Sequence, residues 1–173
     1  MKYSIVTFGC RVNQADSLGL EDELLARGAV ATAPEQADVV IVNTCSVTAT
    51  ADQGARQTIR RIARDNPDAR IVATGCYATR RPDEVRALPN VVRVVPNDLK
   101  PRTISLVAAD FGLTTAVRFG DGEGSCGASI EPGVAGRTAF TLRVQTGCEQ
   151  TCSYCIIPST RGRAQSVPVA DVL

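Results

Sequence analysis

Three times in its first 76 residues this chain runs an apolar, strand-like segment directly into a cysteine. Residues 3–8 lead into Gly9-Cys10, residues 39–42 into Asn43-Thr44-Cys45, and residues 71–74 into Gly75-Cys76. Helical patterns lie between them. Residues 17–27 place Leu18, Leu24 and Leu25 on one side and stop at Gly28. Residues 52–65 carry Ile59 and Ile62 and end before Pro67, and residues 82–88 open with Pro82 and precede a fourth strand at 91–95. Strands alternating with helices predict an α/β fold, a parallel sheet with helices on its faces. Ligands of such sheets collect at the carboxyl ends of the strands. The fold is therefore expected to gather Cys10, Cys45 and Cys76, distant in sequence, into one three-thiol site. Free cysteines also pack well in cores, but one at each of three strand ends is hard to obtain by chance.

A second thiol group lies at 147–155, Gly-Cys-Glu-Gln-Thr-Cys-Ser-Tyr-Cys, directly after a strand-like segment at 141–146. Cys148, Cys152 and Cys155 stand at x3 and x2 spacing, unlike the run of bacterial ferredoxins. A cubane iron–sulfur cluster normally takes four cysteinates. This motif offers three, and the chain has no histidine to serve as a fourth. One iron is thus expected to keep an open position, as catalytic metal sites do.

The cysteine count supports metal or redox use. Seven cysteines, an odd number, without a secretory signal argue against a disulfide framework and for a cytoplasmic protein. No apolar run is long enough to cross a membrane. The net charge of +1 does not call for a nucleic-acid partner. Lys2 and Lys100 are the only lysines in an arginine-dominated cation set. Arg56, Arg60 and Arg64 fall at i, i+4 and i+8 with Arg61 beside them; a solvated helix face is favoured over a phosphate contact.

Residues 1–112, ending in a helix at 101–111, read as one domain. Residues 113–136 read as a Gly-rich linker holding Cys126, expected to be a spare thiol. Residues 137–173 read as the start of a second domain, opening on a strand at 137–146 whose exposed edge is expected to be sticky or locally disordered.

The motifs at 7–17 (Thr-Phe-Gly-Cys-Arg-Val-Asn-Gln-Ala-Asp-Ser), 43–48 (Asn-Thr-Cys-Ser-Val-Thr) and 74–78 (Thr-Gly-Cys-Tyr-Ala) resemble radical S-adenosylmethionine methylthiotransferases. The resemblance continues through Gln145-Thr146-Gly147-Cys148 to Cys155-Ile156-Ile157-Pro158 and Arg161-Gly162. Among these enzymes, the Gly-Cys-Arg-Val-Asn-Gln opening is most similar to the branch acting on threonylcarbamoyladenosine in tRNA. The resemblance implies a Rossmann- or flavodoxin-like N-terminal domain, then the start of a radical S-adenosylmethionine partial β/α barrel. It implies two [4Fe-4S] clusters, one on Cys148, Cys152 and Cys155 that binds S-adenosylmethionine, the other on Cys10, Cys45 and Cys76 that holds the sulfur to be delivered. Tyr154 would pack near the cofactor's adenine, with simple core packing as its alternative. Asn13, Asn43 and Thr44 would hydrogen-bond the sulfurs or simply cap helices. The partners implied are a tRNA anticodon loop and an electron donor such as flavodoxin or ferredoxin, with a monomer as the expected state.

Two departures stand out. Gln165-Ser166 occupies the place of the family's usual Arg-Ser pair, and the chain stops after the first barrel strand and its loop, so it is expected to be incomplete for the full reaction. No catalytic acid, base or nucleophile is singled out. The alternatives are the same chemistry on isopentenyladenosine tRNA or a ribosomal protein, and a non-enzymatic iron–sulfur or zinc module. A thiol redox protein using the Cys152–Cys155 pair fits less well, because Cys148 beside it suits a cluster.

Overall fold

The computed structural model describes residues 1–112 and 143–172. The first stretch forms a five-stranded, wholly parallel sheet: β1 (Lys2–Thr7), β2 (Val30–Ala31), β3 (Val39–Thr44), β4 (Arg70–Gly75) and β5 (Val91–Val95). The spatial order is β2-β1-β3-β4-β5. β3 is buried along its whole length, as a central parallel strand covered on both faces must be.

Alternation along the strands sorts the helices. Tyr3, Val39, Ile41, Val72 and Val95 face α1 (Arg11–Ala26) and α5 (Thr103–Phe111) through Leu20, Leu24, Ile104 and Val107. Val40, Val42 and Ile71 face α2 (Ala49–Asp65) through Ile59 and Ile62. On the same side, Ala73 meets the short helices α3 (Cys76–Arg80) and α4 (Pro82–Arg86) at Tyr77, Ala78 and Val85. This is the expected α/β architecture.

Details depart from the sequence reading. α1 begins at Arg11, not residue 17, with Cys10 as its N-cap. Its buried stripe is Asn13, Ser17, Leu20 and Leu24, while Leu18 and Leu25 are exposed. The helical period holds, but the stripe is polar where it passes the strand ends and apolar only over the sheet; an apolar-only criterion misses its first half. α2 begins three residues early, where Thr48 Oγ1 accepts from the Ala51 N–H at 3.1 Å. α3 was not expected, and the two-residue β2 is too short to show a period.

Beyond the sheet, β6 (Gln145–Thr146) pairs antiparallel with β7 (Gln165–Ser166), with α6 (Ile157–Arg161) between them. Gln165 thus lies opposite Thr146 as a strand partner. The strand expected at 137–146 gains a neighbour at this end; its residues 137–142 and the linker with Cys126 lie outside the described residues.

Ile41→Ala, in the fully buried middle of β3, should cost about 2–5 kcal/mol in urea-unfolding experiments. Burial, reinforced by Glu21, pushes the Tyr3 hydroxyl up to about 12 from its ordinary 10. The stability carried by its neutral form is intact below pH 10 and lost as pH rises toward 12. A Tyr3→Phe variant should lack that alkaline loss.

Candidate functional site: three thiols at a sheet edge and three on a loop

In this strand order the chain direction of travel reverses between β1 and β3, and ligands of such sheets bind at the carboxyl side of that switch point. Cys10 and Cys45 follow the two strands that flank it, and Cys76 follows β4, the next neighbour. The three thiols therefore emerge from adjacent strand ends on one edge. Cys45 and Cys76 are buried, whereas Cys10 is exposed at the α1 N-terminus.

Close backbone approach shapes the edge. Gly9 has φ +92°, and a Cβ there would overlap the Cys45 side chain. Gly75 has φ +95°, and a Cβ there would overlap the Thr44 carbonyl. Both positions need glycine for conformation and for space.

Asn13, Asn43 and Thr44 brace this edge through the backbone, not through the sulfurs. Asn13 Nδ2 donates to the Phe8 and Thr44 carbonyls, each at 2.9 Å. Asn43 Nδ2 donates to the Asn13 carbonyl at 2.8 Å and to Ser17 Oγ at 2.9 Å. Thr44 Oγ1 donates to the Thr74 carbonyl at 2.6 Å and accepts from the Ala78 N–H at 3.1 Å. The side chain that does reach a thiol is Asn97, just past β5, whose Nδ2 lies 3.8 Å from Cys76 Sγ. Sequence reasoning passed over it because nothing in its spacing marks it.

The second group sits on the loop between β6 and α6. Cys148 and Cys155 are half-buried and Cys152 is exposed. The Cys155 N–H donates to the Cys152 carbonyl at 3.1 Å, and the Gln150 N–H donates to Cys148 Sγ at 3.4 Å. Tyr154 is 91% exposed among the described residues.

A buried ionic cluster joins the two parts. Asp16, on α1, accepts from Lys100 Nζ and from Arg143 Nη1, each at 2.7 Å, and stands 3.8 Å from Arg161. The side chains of Asp16, Lys100 and Arg161 are 4%, 6% and 7% exposed. Burial lowers the pKa of Lys100 from its usual value and Arg161 adds to that, against the opposing pull of Asp16 and of Cys76. Lys100 is one of only two lysines in a chain whose other basic side chains are arginines.

Half of the arginine stripe on α2 is engaged within the chain. Arg56 donates to the Tyr77 hydroxyl at 3.0 Å and approaches Glu84 at 3.9 Å, and Arg64 pairs with Asp65 at 3.0 Å. Arg60 and Arg61 are exposed.

The donor chemistry at both thiol groups suits an iron–sulfur cluster: thiols alone, three to a group, with an N–H aimed at a sulfur in each. Residues near the three strand ends in sequence carry buried polar atoms without partners, namely Asn43 Oδ1, Ser46 Oγ, Thr74 Oγ1 and Asn97 Oδ1. Such atoms mark a place for a further polar group. Among the described residues, however, no three Cys, Asp or Glu side chains are drawn together tightly enough to hold a metal ion as they stand. Exposed Cys10 is the strand-end thiol with room to swing. Gly9→Ala should displace the Cys45 side chain, raising the rate at which iodoacetamide labels Cys45 by about tenfold or more while Cys152 labels as before.

Residues 2–96 match the model of a family described as Uncharacterized protein family UPF0004. Over its full length the chain is 31% identical to "Threonylcarbamoyladenosine tRNA methylthiotransferase MtaB" of Rickettsia prowazekii, covering 39% of that protein. It is 35% identical, again over its full length, to "Ribosomal protein uS12 methylthiotransferase RimO" of Chloroflexus aurantiacus, covering 42% of it. It is 33% identical over 99% of its length to "tRNA-2-methylthio-N(6)-dimethylallyladenosine synthase" of Photobacterium profundum, covering 38% of it. The chain thus spans about two fifths of the length of the relatives it matches. On the evidence of the match to residues 2–96 it belongs to the UPF0004 family, and its whole length is similar to the N-terminal portion of methylthiotransferases.

Proposed function

We propose that this chain is the sulfur-carrying part of a tRNA methylthiotransferase, acting in the whole protein at C2 of N6-threonylcarbamoyladenosine next to the anticodon. The observation that carries the reading is the arrival of Cys10, Cys45 and Cys76 at three adjacent parallel strand ends. In this reading Cys10, Cys45 and Cys76 hold one [4Fe-4S] cluster, and Cys148, Cys152 and Cys155 hold a second together with S-adenosylmethionine. The clusters and S-adenosylmethionine supply the radical and sulfur chemistry when bound.

The chain's own residues prepare the two sites. Gly9 and Gly75 let the strand-end backbone close around the thiols, and Asn13, Asn43 and Thr44 keep the three strand ends in register. The Gln150 backbone N–H and the Asn97 Nδ2 point at the Cys148 and Cys76 sulfurs as hydrogen-bond donors. Lys100, close enough to Cys76 for mutual electrostatic influence, adds positive charge beside it. Tyr154 offers an open aromatic face next to Cys155, suited to an adenine.

Residues 1–112 then form the sulfur-carrying domain, 113–136 a linker and 137–173 the start of the radical S-adenosylmethionine domain. Among the described residues no helix is long and apolar enough to cross a membrane. The reading places the protein in the cytoplasm as a monomer, served by an electron donor such as flavodoxin or ferredoxin. The relatives named for a ribosomal protein and for dimethylallyladenosine favour a second reading, the same chemistry on those substrates.

Anaerobic reconstitution with iron and sulfide should give about eight irons per chain, falling to about four in the Cys148/Cys152/Cys155 triple-alanine variant. Failure to bind iron, or tightly held zinc in its place, would overturn the reading in favour of a structural metal module. In the full-length enzyme, Cys76→Ala should abolish sulfur insertion and leave cofactor cleavage largely intact, while Cys152→Ala abolishes both. Equal loss in the two assays for Cys76→Ala would refute that division of labour.

A further inference from the structure

We infer that Asp16 and Asn97 are positioning residues that dock the segment carrying Cys148, Cys152 and Cys155 onto the strand-end thiol edge. Neither residue would be a cluster ligand. Each holds a contact between segments that the chain separates by 60 residues or more.

Asp16 lies six residues after Cys10, and Arg161 lies six residues after Cys155. One carboxylate thus gathers cations from both sides of the junction: Lys100 from the sheet domain, and Arg143 and Arg161 from the second segment. Arg161 is fixed further by a 2.8 Å bond from its Nη2 to Asn13 Oδ1, on the same helix face as Asp16. A buried charge is costly unless paired and hydrogen-bonded. Removing Asp16 leaves buried cations whose mutual repulsion is relieved most easily by release of the second segment.

Asn97 makes the direct link. Its Nδ2 donates to the Thr160 carbonyl on α6 at 2.7 Å and lies 3.8 Å from Cys76 Sγ. Its own N–H is held by Thr79 Oγ1 at 2.9 Å, and that hydroxyl donates to the Gly75 carbonyl at 2.8 Å. One amide therefore touches a thiol of the first group and the helix that follows the last thiol of the second. Docked α6 also packs on α3, whose first residue is Cys76, so docking helps bury that thiol.

Cys76 accessibility consequently reports docking. The functional meaning of the junction rests on the two-site reading above, whereas the docking does not. On the reduced, metal-free 173-residue chain, Asp16→Asn should raise the iodoacetamide labelling rate of Cys76 and the hydrogen exchange of the 157–161 amides by about tenfold or more. Cys45 labelling and exchange over 39–44 should keep their parent rates. Arg161→Gln should act in the same way, and the double variant should exceed neither single by much, because both break one junction. Asn97→Ala removes no buried charge and should raise Cys76 labelling with the sheet intact.

Unchanged Cys76 labelling in Asp16→Asn would overturn the proposal. Should that variant loosen the whole sheet, so that Cys45 labels faster too, Asn97→Ala decides: faster exchange of the 157–161 amides with Cys45 at its parent rate supports docking, and parent exchange there overturns it. Iron counting on the parent chain judges the two-site reading separately. A chain that binds no iron yet shows these rate changes keeps the junction and loses the clusters. One that binds iron without them loses the junction alone.

Discussion

Two buried carboxamides set the frame on which the thiol edge depends. Asn13 and Asn43 together bond the Phe8 and Thr44 carbonyls, the Asn13 carbonyl and Ser17 Oγ. These bonds tie the end of β1, the end of β3 and the first turns of α1 into one unit. A strand end entering a helix leaves backbone groups without ladder partners, and burying one unpaired costs about 1–3 kcal/mol. The two asparagines satisfy several such groups at once. Where Cys10 and Cys45 stand relative to each other follows from that bracing.

The architecture was legible because its signals are local and repeated. A four- to six-residue apolar run that leads through Gly or Asn-Thr into cysteine, three times over, specifies parallel strands with something at their ends. The entry to α1 was not legible in the same way. Asn13 and Ser17 occupy inward-facing positions as hydrogen-bonding residues, so an apolar period cannot find them, and Leu18 was assigned to the core that Leu20 actually fills. Asn97 was invisible for another reason, and so was the role of Asp16, although Asp16 lay inside a recognised motif. Their importance arises from contacts with Thr160, Arg143 and Arg161, set by tertiary docking and leaving no trace in local spacing. Arg161, like Asp16, lay within a recognised motif, but the two could be paired only once the segments were placed together.

Charge follows the same division. The exposed arginines of α2 contribute to a nearly neutral total, and their visible partners, such as Asp65 for Arg64, stand in solvent where such pairs are worth little. The consequential charges are the few inside. Lys100, Arg143 and Arg161 outnumber the single carboxylate they share, leaving positive charge next to a group of thiols that metal binding would convert to thiolates. A net charge of +1 for the chain conceals this internal imbalance.

The glycines at 9 and 75 give the thiol edge an unusual kind of heritability. Its shape is recorded there as missing carbon atoms, not as side-chain chemistry. A catalytic acid can be exchanged for a similar acid and the site retuned, but no neighbour of glycine in the amino-acid alphabet is smaller. Descendants of this chain can therefore vary the outer surface of α1 freely, while the backbone packed against Cys45 has almost no sequence paths along which to drift.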